Sequence, residues 1–280
     1  MSRFAVIATL LLLVPLAATA DQFGTRVLVP VMTSGDPLPG AHGSLWTTQL
    51  IGTNNSDTPV EVGFRAGCAL PEGCGTLRPP HLAFFPAYNV DPNGGAFLYV
   101  GNLAAISLEL RVQDISRQSQ TWGTEIPVVY EQDLFASTLH LVDVTLDPRF
   151  RATLRIYDFD PADDRDSAVR IRIYDLCGID LINQQCAADP YVDTTVTLRK
   201  SGSDTNTPHS AVFPDLVASF PILSSVPPKV VGPGAPRPAS VRIDIDPVAP
   251  ADLRFWAFAT VTNDETQHVT AITPQSLHVE

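Results

Sequence analysis

Short runs that alternate apolar and polar residues recur along the chain, and this period of two limits the fold more than any other feature. Residues 106–113, 168–174 and 240–246 are three such runs. Because neighbouring side chains of a strand point to opposite faces, each run predicts a strand with one buried and one wetted face, as in antiparallel sheets. Helix signals are scarce, and only residues 215–218 predict a helical turn. The sequence therefore predicts an all-β protein.

Turn signals separate these runs at regular intervals. Asp147-Pro148, Asp160-Pro161 and Asp246-Pro247 end strands, because proline cannot donate a hydrogen bond to a strand ladder. About seven strands fit before the middle of the chain and about eight fit after it, a spacing typical of β-sandwiches. We predict two antiparallel β-sandwich modules in tandem, comprising residues 21–130 and residues 131–280.

A stretch rich in proline and glycine, residues 221–238, interrupts the strand pattern. Such a composition favours an extended backbone, so we interpret the stretch as a long connection inside the second module. The alternative is a true linker between domains, which would move the module boundary.

The first twenty residues have the pattern of a secretory signal peptide. Arg3 supplies the positive start, residues 4–16 are almost wholly apolar, and Ala18-Thr19-Ala20 offers the small residues that precede a cleavage site. We expect cleavage before Asp21, and a mature chain that is secreted, periplasmic or held at the cell surface. No later stretch is apolar enough to predict a membrane span.

The charge of the chain disfavours one class of partner. It has 30 acidic and 18 basic residues, for a formal net charge of −12. An acidic chain repels phosphate backbones, so we expect no nucleic-acid partner. The expected partner is a protein or a cell-envelope polysaccharide.

The four cysteines fall into two close pairs, Cys68 with Cys74 and Cys177 with Cys186. In an exported protein an even number of cysteines indicates disulfides, and we favour these two local bridges among the three connectivities that four cysteines allow. A zinc site is the alternative, but it usually needs closer spacing or histidine ligands.

Two segments resemble parts of a known family. Residues 46–64 (WTTQLIGTNNSDTPVEVGF) and residues 254–274 (RFWAFATVTNDETQHVTAITP) each place an Asn-containing turn between two strands. The first resembles the strand–turn–strand segment of bacterial secreted immunoglobulin-like β-sandwich modules. The second is similar to the closing hairpin of β-rich extracellular proteins from environmental bacteria. The resemblance implies a sandwich outside the cytoplasm that serves adhesion, spacing or ligand binding. We expect both turns to close hairpins.

An acidic loop is the candidate metal site. Its aspartates, which we predict as calcium ligands, are Asp158, Asp160, Asp163, Asp164 and Asp166. Calcium prefers several oxygen ligands, which a loop dense in aspartate can supply. The spacing is not that of an EF-hand, because Asp163 and Val169 stand where glycine and glutamate are needed. The alternative is a solvated hairpin tip.

Four aromatic residues are the candidate ligand-binding surface: Trp256, Phe258, Tyr174 and Tyr157. The strand that carries Trp256 and Phe258 has a second apolar face, so one of its faces is not needed for a single core. The two rings would then form an exposed stacking surface for sugars or a module interface. The alternative is a strand buried on both faces.

Catalytic motifs are missing from the sequence. It contains neither a GxSxG elbow nor HExxH, and its six histidines are scattered singly. We therefore expect a non-catalytic exported protein for binding, adhesion or structural spacing, without a cofactor unless calcium binds. The alternatives are a carbohydrate-binding protein assisted by calcium, and a secreted hydrolase with a dispersed site.

Overall fold

The chain folds into antiparallel β-sheets, which confirms the all-β class. The computed structural model describes residues 25–33, 36–64, 74–78, 82–84, 95–117, 123–159, 166–176, 189–200, 207–228 and 239–274. The strands are β1 (Thr25–Val29), β2 (Leu38–Pro39), β3 (Leu45–Asn54), β4 (Val60–Gly63), β5 (Cys74–Leu77), β6 (Leu82–Phe84), β7 (Ala96–Val100), β8 (Ile106–Asp114), β9 (Thr124–Ile126), β10 (Val129–Tyr130), β11 (Leu139–Thr145), β12 (Phe150–Asp158), β13 (Ser167–Asp175), β14 (Val192–Lys200), β15 (His209–Phe213), β16 (Ser240–Ala249), β17 (Phe255–Asn263) and β18 (Val269–Ile272). One short helix, α1 (Leu216–Ser219), follows β15, and short 3-10 turns lie at Ala41–Gly43, Leu103–Ala105, Ile115–Arg117, Glu131–Asp133 and Pro221–Ser225.

The strands form three sheets that divide the chain into a first half and a second half. Strands β1–β10 make two sheets, ordered β10-β1-β7-β4-β5 and β2-β3-β8-β9, with β6 beside β3. Strands β11–β18 make one eight-stranded sheet, ordered β11-β16-β13-β14-β15-β12-β17-β18. Within the described ranges, no strand of one half pairs with a strand of the other. The assignment of two domains stays a prediction.

The eight-stranded sheet curls around its own core. Strand β11, at one edge, lies against β17 and β18 at the opposite edge. Inside the curl, Val169, Ile171 and Ile173 are fully buried, whereas Arg170 is exposed. This alternation is the one that the sequence predicts, and it gives the sheet a distinct outer face.

The two Asn-containing turns differ. Asn263 closes the predicted hairpin between β17 and β18, where its backbone N–H donates to the His268 carbonyl at 2.9 Å. The turn after Asn54 is not a hairpin, because β3 and β4 belong to different sheets. There the Asn54 side chain donates to the Thr58 and Leu77 carbonyls, each at 2.8 Å. Asn54 therefore joins two sheets, which corrects the prediction.

The structure also bears on the predicted helical turn, the proline-rich connection and the predicted absence of a membrane span. Asp215 caps α1 by accepting from two backbone N–H groups, so the predicted helical turn is present. Strands β15 and β16, on either side of the proline-rich connection, lie in the same sheet. Among the described residues, no helix is long and apolar enough to cross a membrane. The predicted signal peptide, residues 229–238, Cys68, Cys177 and Cys186 lie outside the described residues, and the disulfide pairing stays a prediction.

Candidate functional site

The part of the outer face that β12 and β17 form is covered by the first half of the chain. On β17, Phe255 and Ala257 point into the core of the eight-stranded sheet, while Trp256 and Phe258 point the other way. Tyr157 on β12 stands opposite Trp256 in the strand register. These three rings are buried in one cluster with apolar side chains of the first half, such as Leu28 and Phe97. The sheet is therefore buried on both faces here.

This burial corrects the expectation of an exposed aromatic surface. The rings of Trp256 and Phe258 stack with centroids 5.0 Å apart, and that of Tyr157 lies 6.5 Å from Phe258. The Tyr157 hydroxyl also donates to the Pro30 carbonyl of the first half. Trp256, Phe258 and Tyr157 form an interface between the two halves, one of the alternatives that the sequence left open.

The fourth candidate aromatic residue lies elsewhere. Tyr174 is on β13, on the part of the outer face that faces solvent. Guanidinium groups flank its ring, with Arg242 4.7 Å and Arg172 6.0 Å from the centroid. Tyr174 is half-buried beneath these arginines, and it does not share a surface with the other three rings.

The candidate calcium ligands are only partly within the described residues. Asp160, Asp163 and Asp164 lie outside them, and Asp166 is exposed. Asp158 is buried, and its carboxylate accepts a hydrogen bond from the Ser167 hydroxyl. The described ranges contain no group of three or more acidic, histidine or cysteine residues that could hold a metal. The calcium site stays a prediction.

Asp158 also belongs to a buried polar cluster that resembles a hydrolytic triad in composition alone. His209 Nδ1 lies 3.7 Å from Asp158 Oδ2, and Ser167 is bonded to the same carboxylate. In a catalytic triad the histidine stands between the serine and the acid, so that it can take the serine proton. Here the carboxylate stands between the serine and the histidine, so this cluster does not have that geometry.

A cavity of about 460 Å³ lies where the covered face changes from aromatic to polar residues. Following β17 away from Phe258, the same face carries Thr260 and then Thr262, and β12 places Thr153 and Arg151 opposite them. These side chains form the floor of the cavity, while β3, β8 and β9 of the first half cover it. The cavity therefore takes its walls from both halves of the chain.

The walls combine apolar surface with hydrogen-bonding groups. Val31, Val112, Ile126 and Val269 are among the apolar lining residues. Thr33 and Thr48, which also line the cavity, bond to each other, and their backbone N–H groups donate to the partner's hydroxyl at 2.8 and 3.1 Å. Thr153 donates its hydroxyl proton to the Pro214 carbonyl at 2.8 Å. By contrast, the Thr260 and Thr262 hydroxyls make no hydrogen bond to any described residue, so both can donate to a ligand.

The indole of Trp46 forms part of the cavity wall, and Gly40 allows it to do so. A Cβ atom at Gly40 would lie 2.4 Å from Trp46 Nε1 and 2.3 Å from Ser44 Oγ. Only a residue without a side chain leaves room for the ring in this position. Strand β3 thereby contributes an aromatic side chain to the cavity lining.

Two arginines of β12, Arg151 and Arg155, supply the charge of the site. Both line the cavity, and neither makes a hydrogen bond or an ion pair with any residue that the structure describes. Arg155 is partly buried, with its guanidinium carbon 5.9 Å from the centroid of the Phe258 ring. Its buried Nε has no hydrogen-bond partner. Burial lowers the pKa of the Arg155 guanidinium, and the positive charge of Arg151 adds to this shift.

The one carboxylate in the lining of this cavity is used elsewhere. Asp215 accepts from the backbone N–H groups of Val217 and Ala218 at 2.9 and 3.1 Å, as the cap of α1. Asp215 and Arg151 also line a second cavity of about 630 Å³, where Asp147 and Asp264 add further acidic groups. In the second cavity Asp147 is itself paired with Arg149 at 2.7 Å. Arg151 and Arg155 are therefore the charged groups of the first cavity that are left for a ligand.

The sequence alone does not predict this site, although strand β12 carries a signal for it. In residues 150–158, Ala152, Leu154 and Ile156 alternate with Arg151, Thr153 and Arg155. This pattern has the form of any half-exposed strand. The pattern does not show that the first half of the chain covers the polar face of this strand.

Known proteins do not extend this description. No family model, no curated protein and no solved structure matches the chain. The proposals that follow rest on the cavity and on the side chains that line it.

Proposed function

We propose that this chain is an exported, non-catalytic binding protein, built from two antiparallel β-sandwich modules of the immunoglobulin-like kind, that holds a small ligand between its halves. The observation that carries the proposal is the cavity of about 460 Å³ between the two halves. Pockets for small molecules commonly have about 300–1,000 Å³ and lie preferentially between domains.

The composition of the lining supports binding. Apolar walls exclude water from a ligand, and a few polar groups fix its orientation. The Thr260 and Thr262 hydroxyls, the Trp46 indole and two guanidinium groups are such polar groups here. None of these side chains is a nucleophile paired with a base, so their chemistry suits recognition rather than a reaction.

The predicted signal peptide supports a location outside the cytoplasm. Residues 1–20 have the pattern of a signal peptide, and the mature chain is acidic. A binding protein outside the cytoplasm meets small molecules and cell-envelope polymers. We place the chain there, either secreted, periplasmic or attached to the cell surface through a protein or polysaccharide partner.

Carbohydrate binding is the second candidate, and Trp46 favours it. A flat indole beside hydroxyl groups matches the apolar face and the polar edges of a sugar ring. The predicted calcium loop at residues 158–166 would assist such binding from outside the cavity. Pull-down of the mature chain on insoluble polysaccharides, once with calcium and once with EDTA, tests this candidate. Binding that EDTA abolishes would support it.

A ligand screen on residues 21–280 tests the main proposal. We expect small molecules from a panel of organic acids, amines and neutral sugars to raise the melting temperature. The Val112→Phe variant, which fills the cavity, should lose this shift. The Val248→Phe variant makes the same change at an exposed site on β16 and should keep it. A panel without any binder, or binding that both variants retain, would overturn the proposal.

A further inference from the structure

We infer that the ligand of this cavity is a small organic acid, whose carboxylate binds Arg155 and Arg151 and whose apolar body lies against the walls beside Trp46. The inference rests on the proposed function, because it names the class of ligand for the same site. Its basis is the contrast between these two arginines and the other arginines of the same sheet.

Arginines on the solvent-facing part of the outer face have carboxylate partners. Arg170 lies 2.6 Å from Asp193, and Arg172 lies 2.8 Å from Asp246. The chain contains 30 acidic residues against 18 basic ones, so carboxylates are plentiful. Arg151 and Arg155 nevertheless have no carboxylate partner in the part of the chain that the structure describes.

Arg155 is the more withdrawn from water of the two unpaired arginines. A charge removed from water is stable only when it is paired or hydrogen-bonded, and the partly buried Arg155 has a fully buried Nε without a hydrogen-bond partner. The lowered pKa of its guanidinium reflects the same cost of burial. An arginine stays protonated in proteins, and none of the described residues offers this guanidinium a carboxylate. A bound anion supplies that partner.

The donors suit a carboxylate. A guanidinium offers parallel N–H groups that a carboxylate accepts in pairs, and this geometry is stronger and more specific than a point charge. The Thr260 and Thr262 hydroxyls lie on the same floor as the arginines and can donate to the same group. The charged end of the ligand therefore lies against Arg151 and Arg155.

The apolar walls exclude a bare inorganic anion as the natural occupant. Phosphate or sulfate would contact the arginines and leave the surfaces of Val31, Val112, Ile126 and Val269 uncovered. An acid with an apolar body covers them, and a flat ring can lie along the indole of Trp46. The site thus favours an organic acid with an aromatic or branched body.

Calorimetric titration of the mature chain with three probes tests the inference. The probes are 1-naphthoate, its neutral analogue 1-naphthamide, and inorganic phosphate. We expect naphthoate to bind at least about tenfold more tightly than either of the others. Arg155→Met should weaken naphthoate binding by about tenfold or more. Arg155→Lys keeps the charge but loses the paired N–H donors of the guanidinium, so it should weaken binding less. Arg170→Met, on the solvent-facing side of the sheet, should leave it unchanged.

The outcomes separate the inference from the function on which it rests. Equal binding of naphthoate and naphthamide, or full affinity in Arg155→Met, would overturn the organic acid and leave the cavity as a binding site. Phosphate that binds as tightly as naphthoate would identify an inorganic-anion site and would also overturn the inference. If none of the three probes binds at millimolar concentration, and no compound of the wider panel binds, the proposed function fails together with the inference.

Discussion

The arginines on the outer face of the eight-stranded sheet differ according to what covers them. On the solvent-facing part, Arg170, Arg172 and Arg242 each lie within 3.0 Å of an aspartate oxygen. On the part that the first half covers, Arg151 and Arg155 have no such partner among the described residues. Ion pairs are therefore present where water would stabilise the charge anyway, and they are missing among the described residues where the first half covers the sheet.

The difference between paired and unpaired arginines separates the part of the sheet that is optimised for stability from the part that is not. An exposed ion pair contributes little to folding, whereas a buried unpaired charge costs free energy. Residues that break the rules of packing in this way are expected at functional sites. The covered face has a stabilising end and a binding end. The Trp256, Phe258 and Tyr157 rings pack at the first, and the cavity lies at the second.

Truncation of the aromatic end should have the largest effect. Phe258 is fully buried between Trp256 and Tyr157, so Phe258→Ala leaves a cavity and removes ring contacts with both neighbours. We expect the free energy of unfolding to fall by about 3–5 kcal/mol, measured by urea denaturation. Val248→Ala at an exposed position serves as the control. A loss below about 1 kcal/mol would mean that the halves are not held together by this end.

Tyr157→Phe should have the next largest effect. The variant keeps the ring but removes the hydroxyl, which leaves the Pro30 carbonyl of the first half without its donor. An unsatisfied buried acceptor costs about 1–3 kcal/mol, so the loss should be smaller than that of Phe258→Ala. Urea denaturation of both variants checks this order. Unchanged stability would show that water replaces the hydroxyl and that the contact between the halves is wet.

Arg155→Met should change stability in the opposite direction. The substitution removes an unpaired, partly buried cation and its unpartnered Nε, and it keeps an unbranched apolar side chain of similar length. We expect the protein without added ligand to gain about 1 kcal/mol in free energy of unfolding. Arg170→Met breaks an exposed pair and should give a slight loss. If Arg155→Met destabilises the protein, the guanidinium is a structural group and the contrast between the two parts of the face disappears.

The sequence predicts the strands well because each depends on local alternation. The pattern of Val169, Ile171 and Ile173 identifies their buried face without knowledge of the fold. The pattern around Trp256 and Phe258 shows two apolar faces, but it does not show whether the second one meets solvent or another part of the chain.

Contacts between residues distant in sequence account for what the sequence predicted wrongly or did not predict. The turns after Asn54 and Asn263 look alike in sequence, yet one joins two sheets and the other closes a hairpin. The cavity has the same origin, since Arg155 and Trp46 are distant in sequence and line it only because the first half covers β12. Pattern and turn chemistry act over a few residues, whereas such contacts depend on how whole sheets pack.

The pH dependence of the two parts of the face should also differ, although the effect is the smallest of those predicted. Hydrogen bonding to Arg170 lowers the pKa of Asp193 below its usual value. A carboxylate whose pKa is lower in the folded state stabilises the protein above its unfolded-state pKa, and this stability is lost as the pH falls through the folded-state pKa. The difference in stability between the wild type and Asp193→Asn should therefore shrink as the pH drops below about 4.

The Arg155→Met difference should not change over the same pH range, because no carboxylate is paired with Arg155 in the described part of the chain. Urea denaturation at a series of pH values measures both differences in one experiment. An acid-dependent effect of Arg155→Met would reveal a carboxylate partner. Arg155 would then resemble the paired arginines of the solvent-facing part, and the cavity would lose the unpaired charge that calls for an acidic ligand.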